Sequence, residues 1–252
     1  MATILAVHAH PDDIEHLSAG TLAVLAAKGH ALRIATLTAG ECGSAATDLS
    51  ATGRIRKAEA AASAALIGAE YRCADLADLG VFNDDASRRA VTELIRWAAP
   101  DMVLAASPAD YHPDHEAASQ LTRDACFASS VPNYRTGPAA ALAAIPHLYF
   151  MDSIGGRDRE GNRIVADFGA DIEGVFSTKQ QMLSAHVSQA EWVARQHGIA
   201  DHLGSMEAWS RRRGRDFGRA YAEGFRQYRH EPYPKAPLLQ KLLGETLLTL
   251  AT

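Results

Sequence analysis

Residues 3–15 read TILAVHAHPDDIE. The opening part, TILAVHA (3–9), is short, apolar and β-branched at its start, as expected for a strand buried on both faces. Such strands usually end in Gly, Asn or Ser, which turn the backbone cheaply. This one ends in VHAHPDDIE (7–15), with two histidines, two aspartates and a proline. Metal-seeking and ionisable side chains crowded at a strand end point to chemistry.

Outward from that stretch, strands and helices alternate. DDIEHLSAGTLAVLAAKGH (12–30) carries Ile14, Leu17, Leu22 and Leu25 at helical spacing and stops at Lys28-Gly29. ALRIATLTA (31–39) is a second strand, followed by a Gly/Ser/Thr-rich loop through residue 53. RIRKAEAAASAALIGA (54–69) is a helix, EYRCADL (70–76) a third strand, and SRRAVTELIRWAAP (87–100) a helix stopped by Pro100. DMVLAAS (101–107) is a fourth strand, PADYHPDHEAASQLTRDACFAS (108–129) a loop and helix, and HLYFMD (147–152) a fifth strand. This rhythm predicts an α/β fold, a Rossmann-like three-layer sandwich with a mainly parallel sheet and right-handed crossovers. Strand order 3-2-1-4-5 is the expectation.

Past residue 155 the rhythm changes. GGRDREGN (155–162) is turn-rich, and RIVADFGADI (163–172) is an edge strand or hairpin arm. STKQQMLSAHVSQAEWVA (177–194) reads as a helix N-capped by Ser177. SMEAWSRRRGRDFGRAYAEGFRQY (205–228) reads as another helix, weakened by its glycines. The amphipathic tail APLLQKLLGETLLTL (236–250) is expected to dock on its own core or on a neighbouring subunit, the latter as a homo-oligomer. Residues 1–252 are expected to form one catalytic domain, with 1–155 its Rossmann-like core and 156–252 an elaboration.

The formal net charge of −5 over 252 residues argues against a nucleic-acid or anionic-membrane partner. Cys42, Cys73 and Cys126 stand far apart, so neither a disulfide framework nor a thiolate zinc site is indicated. MATILAVHAHPDD lacks the basic start of a leader peptide, and no segment approaches the roughly 20 apolar residues of a membrane span. A cytoplasmic protein is expected.

A second burst, DYHPDH (110–115), follows the fourth strand. Both bursts therefore sit at carboxyl ends of parallel strands, where open α/β sheets bind ligands. In a 3-2-1-4-5 sheet the two loops meet. His10, Asp13 and His115 would supply three protein ligands to a catalytic zinc, leaving a position open; iron or cobalt would accept the same donors. Asp12, His112 and Asp114 remain as acid/base groups around that position. A bound metal lowers the pKa of water toward about 7. Asp12 could take its proton, and His112, held by Asp114, could stabilise a developing oxyanion.

These blocks resemble the PIG-L or LmbE-like family of metal-dependent de-N-acetylases. Its A-H-P-D-D-E block is similar to AHPDDIE (9–15), here with Ile14 inserted before Glu15. Its H-P-D-H block matches residues 112–115, preceded by Asp110. TAGECGS (38–44), RIRKAEAAASAALIG (54–68) and KQQMLSAHVSQ (179–189) extend the resemblance over roughly residues 2–190. It implies His10, Asp13 and His115 as zinc ligands, Asp12 as general base, and His112, polarised by Asp114, over the tetrahedral intermediate. The implied reaction removes an N-acetyl group from a small amino-sugar conjugate, usually a glucosamine unit. Some family members instead add water to a carboxylated ring-cleavage product, a hydratase chemistry that needs several cations, and these loops offer mainly Arg56. A non-catalytic metal-stabilised module is a third reading, disfavoured because a structural site would close its fourth position.

Arg56 matches a family arginine that reaches substrate, or else pairs with Glu59 or Glu41. Glu41 binds sugar hydroxyls or braces its loop. His186 lines the pocket rim or is structural, and Tyr111 stacks on a sugar ring or simply packs. His8 is expected in the core. His16, His30, His147, His197, His202 and His230 lack a partner pattern and default to structural or surface roles. The run RRRGR (211–215) reads as a solvated helix face. GRDREGN has no P-loop lysine and GECGS is no dinucleotide fingerprint, so nucleotide binding is not expected.

Overall fold

The apolar run at the N-terminus forms strand β1 (Thr3–His8), whose alternate side chains enter two separate cores. The computed structural model describes residues 1–197 and 201–250. Ile4 and Ala6 pack on one face of the sheet, and Leu5 and Val7 on the other. This burial on both faces is why β1 reads as a continuous apolar run. Strands β2 (Ala31–Thr38), β3 (Glu70–Leu76), β4 (Met102–Ala105) and β5 (His147–Met151) join it in the parallel order β3-β2-β1-β4-β5. The order is the one expected from the alternation of elements.

Helices α1 (Asp13–Leu17), α2 (Ala19–Ala27) and α3 (Leu49–Ala65) send Leu17, Leu22, Leu25 and Ala64 to one face. Helices α4 (Asp85–Ala98) and α5 (Pro113–Ser129) cover the opposite face with Val91, Ile95, Leu121 and Ala125. The segment 12–30 is therefore two helices, not one. The break at Ser18 has a physical cause: the Glu223 carboxylate accepts hydrogen bonds from the N–H groups of Gly20 (2.9 Å) and Thr21 (2.7 Å), which makes a new helix start there.

The second half departs further from expectation. Strand β6 (Phe168–Asp171) falls within residues 163–172 but is flanked on both sides. Helix α6 (Phe176–Ser184) starts one residue before Ser177 with no side-chain cap, and the chain breaks before α7 (Val187–His197). Helix α8 (His202–Asp216) ends well before residue 228, because Gly218 turns at φ +67° and the chain returns as β7 (Ala222–Gln227). β7 runs antiparallel between β5 and β6. Its polar letters concealed it: Glu223 is buried in an ion pair with Lys179, while Phe225 enters the core.

The tail splits into α9 (Leu238–Leu243), a turn at Gly244 with φ +56°, and the two-residue strand β8 (Leu247–Leu248) beside β6. Leu239 and Leu243 are fully buried in the chain's own core. Each such leucine is worth about 2 kcal/mol of apolar burial. The arginine run is also not wholly solvated. Arg213 is buried in a two-pronged pair with Asp152 (2.7 and 2.8 Å), whereas Arg211 and Arg215 are exposed. Among the described residues, no helix is long and apolar enough to cross a membrane.

Candidate metal centre and active site

Parallel pairing of β1 with β4, in register Val7↔Ala105, sets the two histidine-rich loops side by side at the carboxyl edge of the sheet. After β1 the chain turns at Asp12, a non-glycine residue in the left-handed region (φ +98°), which starts α1. Such a conformation costs on the order of 1 kcal/mol and signals a constrained position. After β4, His112 caps α5, and its Nδ1 accepts a 3.2 Å hydrogen bond from the Asp114 N–H.

The three expected ligands converge. His10 Nδ1 stands 3.3 Å from His115 Nε2 and 3.3 Å from Asp13 Oδ2, and His115 Nε2 stands 3.4 Å from Asp13 Oδ1. Donors held about 2.1 Å from a tetrahedral ion lie about 3.4 Å from one another, so this spacing fits zinc. The far sides of both imidazoles meet carboxylates. His10 Nε2 lies 3.1 Å from Asp78 Oδ1 and 3.5 Å from Asp114 Oδ2, and His115 Nδ1 lies 3.1 Å from Asp110 Oδ1. A proton on each far nitrogen leaves the inward nitrogen with a free lone pair.

Asp13 is itself fastened: its Oδ2 takes His8 Nδ1 at 2.6 Å and the His10 N–H at 2.8 Å. His8 is buried, as expected of a core residue, but it also orients a site carboxylate. Burial favours the neutral acid at Asp13, yet His115, His8 and His10 hold its carboxyl well below the usual range. Burial disfavours a charged His10, but the carboxylates of Asp114, Asp13 and Asp78 outweigh it and raise its pKa. A site so rich in carboxylate calls for a cation.

His112 stands beside these side chains, its ring 4.8 Å from that of His10 and 4.7 Å from that of His115, close enough that His10, His112 and His115 could also share an ion. Burial, with His10 and His115 nearby, lowers the pKa of His112, and its Nδ1 is an acceptor, so the neutral ring carries its proton on Nε2. Asp114 does not hold it by the expected route: its Oδ2 accepts from the Leu79 N–H at 2.7 Å, and the link to His112 runs through its own backbone N–H. Asp12 places Oδ1 3.4 Å from Arg56 and Oδ2 3.5 Å from His202 Nε2. Burial raises the Asp12 pKa, with Arg56 pulling the other way.

These groups open onto a cavity of about 550 Å³ whose walls include Tyr111, Ile154, Trp192 and Val193. Tyr111 is mostly exposed at its mouth. Arg56 reaches the cavity but pairs with neither Glu59 nor Glu41. It donates to the carbonyls of Gly40 and Pro11, both at 2.7 Å, where a Cβ on Gly40 would overlap its guanidinium. Glu41 braces its loop, accepting from the Asp78 N–H at 2.9 Å. His186 is buried 3.2 Å from Glu15 and does not line the cavity.

Reading the sequence missed Asp78, His202 and His16 as cavity residues. Asp78 follows β3 on the same rim of the sheet, a place its strand-end position could have flagged. His16 and His202 face one another as near-parallel rings 6.4 Å apart. His30, His147 and His230 lie away from the cavity, and the side chain of His197 is outside the described part.

Residues 5–126, from β1 through most of α5, match the PIG-L family model, described as GlcNAc-PI de-N-acetylase. The match covers just under half of the chain and includes both histidine-rich loops. The chain is 27% identical over 238 residues to the 1D-myo-inositol 2-acetamido-2-deoxy-alpha-D-glucopyranoside deacetylase of Rhodococcus erythropolis, covering 74% of this chain and 80% of that one. It is 28% identical over 157 residues to the 4-oxalmesaconate hydratase of Pseudomonas putida, covering 59% of this chain and 60% of the relative. The crystal structure of the conserved protein TT1542 from Thermus thermophilus superposes with a TM-score of 0.73 at 26% identity, covering 94% of this chain and all of that one. The expected fold class is borne out, and the relatives named above carry more than one reaction.

Proposed function

We propose that this protein is a zinc-dependent hydrolase, akin to the PIG-L de-N-acetylases, that removes the N-acetyl group from a small amino-sugar conjugate in the cytoplasm. The observation that carries the reading is the mutual 3.3–3.4 Å spacing of His10 Nδ1, the Asp13 carboxylate and His115 Nε2, with Asp12 and His112 beside them. Those three side chains would hold the metal. When bound there, zinc supplies a Lewis acid and makes water acidic enough to attack near neutral pH. Asp12, with its raised pKa, accepts the proton of the attacking water and returns it to the departing nitrogen, giving acetate and a free amine. His112 donates its Nε2–H to the oxyanion that forms on the acetyl carbonyl.

Hydration of a multiply carboxylated substrate is the competing chemistry, and the cavity wall opposes it. Asp12, Asp13 and Asp78 line the wall, while Arg56 is the one arginine or lysine of the lining among the described residues. Arg56 is already engaged by two backbone carbonyls and by Asp12. A neutral sugar seated against Tyr111 and Trp192 fits this lining better than a polyanion.

The test offers zinc-loaded protein a panel of N-acetylglucosamine glycosides beside unsaturated polycarboxylic acids. Release of acetate with equimolar amine from the glycosides is expected. Loss of the acids' ultraviolet absorbance with no amine from any glycoside would overturn the reading.

A further inference from the structure

The Asp12 carboxylate is flanked at both oxygens by groups from distant parts of the chain. Arg56 of α3 reaches Oδ1 at 3.4 Å, and His202, the first residue of α8, places Nε2 3.5 Å from Oδ2. His202 is nearly buried and lines the cavity. Its backbone is set by the Asp201 cap, whose Oδ1 accepts from the Gly204 N–H at 2.7 Å. Its ring faces His16 of α1 at 6.4 Å, with 23° between the planes. The chain segment that carries it lies outside residues 5–126, the span matched by the family model.

We propose that His202 is a positioning residue: its Nε2–H restrains Oδ2 of Asp12 while Arg56 restrains Oδ1, and together they aim the carboxylate into the cavity. This rests on the reading of Asp12 as general base. The physical need is rotational. With Arg56 alone, the carboxylate can swing about its terminal torsion, which is broad for aspartate. A base misplaced by about 1 Å loses on the order of 100-fold in rate. A donor on the second oxygen removes that freedom. Because the donor belongs to α8, the same contact ties the cavity's outer wall to the base.

The test compares His202→Ala and His202→Gln, both zinc-loaded, for metal content, melting temperature, kcat and KM on an accepted N-acetyl glycoside. Metal-loaded crystal structures of both variants complete it. The expected result is a kcat about 10- to 100-fold lower in His202→Ala, with metal content unchanged and KM within about twofold, and recovery of most of kcat in His202→Gln. The Asp12 carboxylate turns away in the alanine structure and stays in place in the glutamine structure. An alanine variant with normal kcat, a loss confined to KM, or a glutamine variant as slow as alanine would overturn the proposal. So would an unmoved Asp12 carboxylate in the His202→Ala crystal structure. That structural readout holds whether or not the wild type cleaves an N-acetyl substrate; a wild type inactive on every glycoside counts against the proposed activity alone.

Discussion

His10 Nδ1 and His115 Nε2 stand 3.3 Å apart across 105 residues of chain. The pairing of β1 with β4 brings them there, and a carboxylate stands behind each ring, Asp78 3.1 Å from His10 Nε2 and Asp110 3.1 Å from His115 Nδ1. The arrangement makes Asp78, which touches no other expected ligand, an indirect determinant of metal affinity. Asp78→Asn should weaken zinc binding about 10- to 100-fold while the fold persists, as measured by competition with a chromogenic chelator. Unchanged affinity would mean that Asp78 does not set the His10 tautomer.

His112 should act as a neutral donor and not as a ligand, given its acceptor Nδ1 and lowered pKa. His112→Ala should bind zinc normally and lose about 100- to 1000-fold in kcat on an N-acetyl substrate. Loss of one equivalent of metal in that variant, read by plasma emission spectrometry, would place His112 among the ligands instead.

The buried pair of Lys179 and Glu223 predicts a stability effect separate from chemistry. Lys179 Nζ donates to Glu223 Oε1 at 2.6 Å and to the His16 carbonyl at 2.8 Å, and both side chains are almost fully buried. Glu223→Gln leaves a buried ammonium without its counter-charge. A loss of about 3 kcal/mol or more is expected in urea unfolding. A change under about 0.5 kcal/mol would show that the pair is not needed to hold α6, α2 and β7 together.

His16 predicts a pH dependence. Burial, then Lys179 and His202, depress its pKa from 6.5 to about 3. The unfolded chain therefore binds a proton at this histidine that the folded chain refuses. Stability contributed by neutral His16 is present above pH 6.5 and falls as the pH drops from 6.5 toward about 3. His16→Gln should flatten that part of the denaturation-midpoint profile. A variant with the same acid slope as the wild type would contradict the assignment.

Much of this was legible in the letters, for identifiable reasons. β1, β2, β4 and β5 are largely buried and read as apolar runs, while β3, at the sheet edge with no buried residue, carries a weaker signal; the order and the meeting of HPDD with HPDH followed from the topology. β7 was not legible, because Glu223 and Gln227 look like surface residues until Lys179 and the Gly20 and Thr21 N–H groups are seen around Glu223. Arg213 was hidden in a charge run for the same reason, its partner Asp152 lying 61 residues away. Asp110 was noticed only as a neighbour of its motif. His8 was read as core alone, since nothing in an alternating strand reports that its Nδ1 meets Asp13. His202 sits far along the chain in a helix with no motif of its own.

The most direct measurement is anomalous diffraction at the zinc edge from crystals of the zinc-loaded protein. A single peak is expected about 2.0–2.2 Å from His10 Nδ1, an Asp13 carboxylate oxygen and His115 Nε2, with Asp12 and His112 outside bonding distance. A peak on the other side of His10, between Nε2, Asp78 and Asp114, or none at this edge of the sheet, would contradict the account.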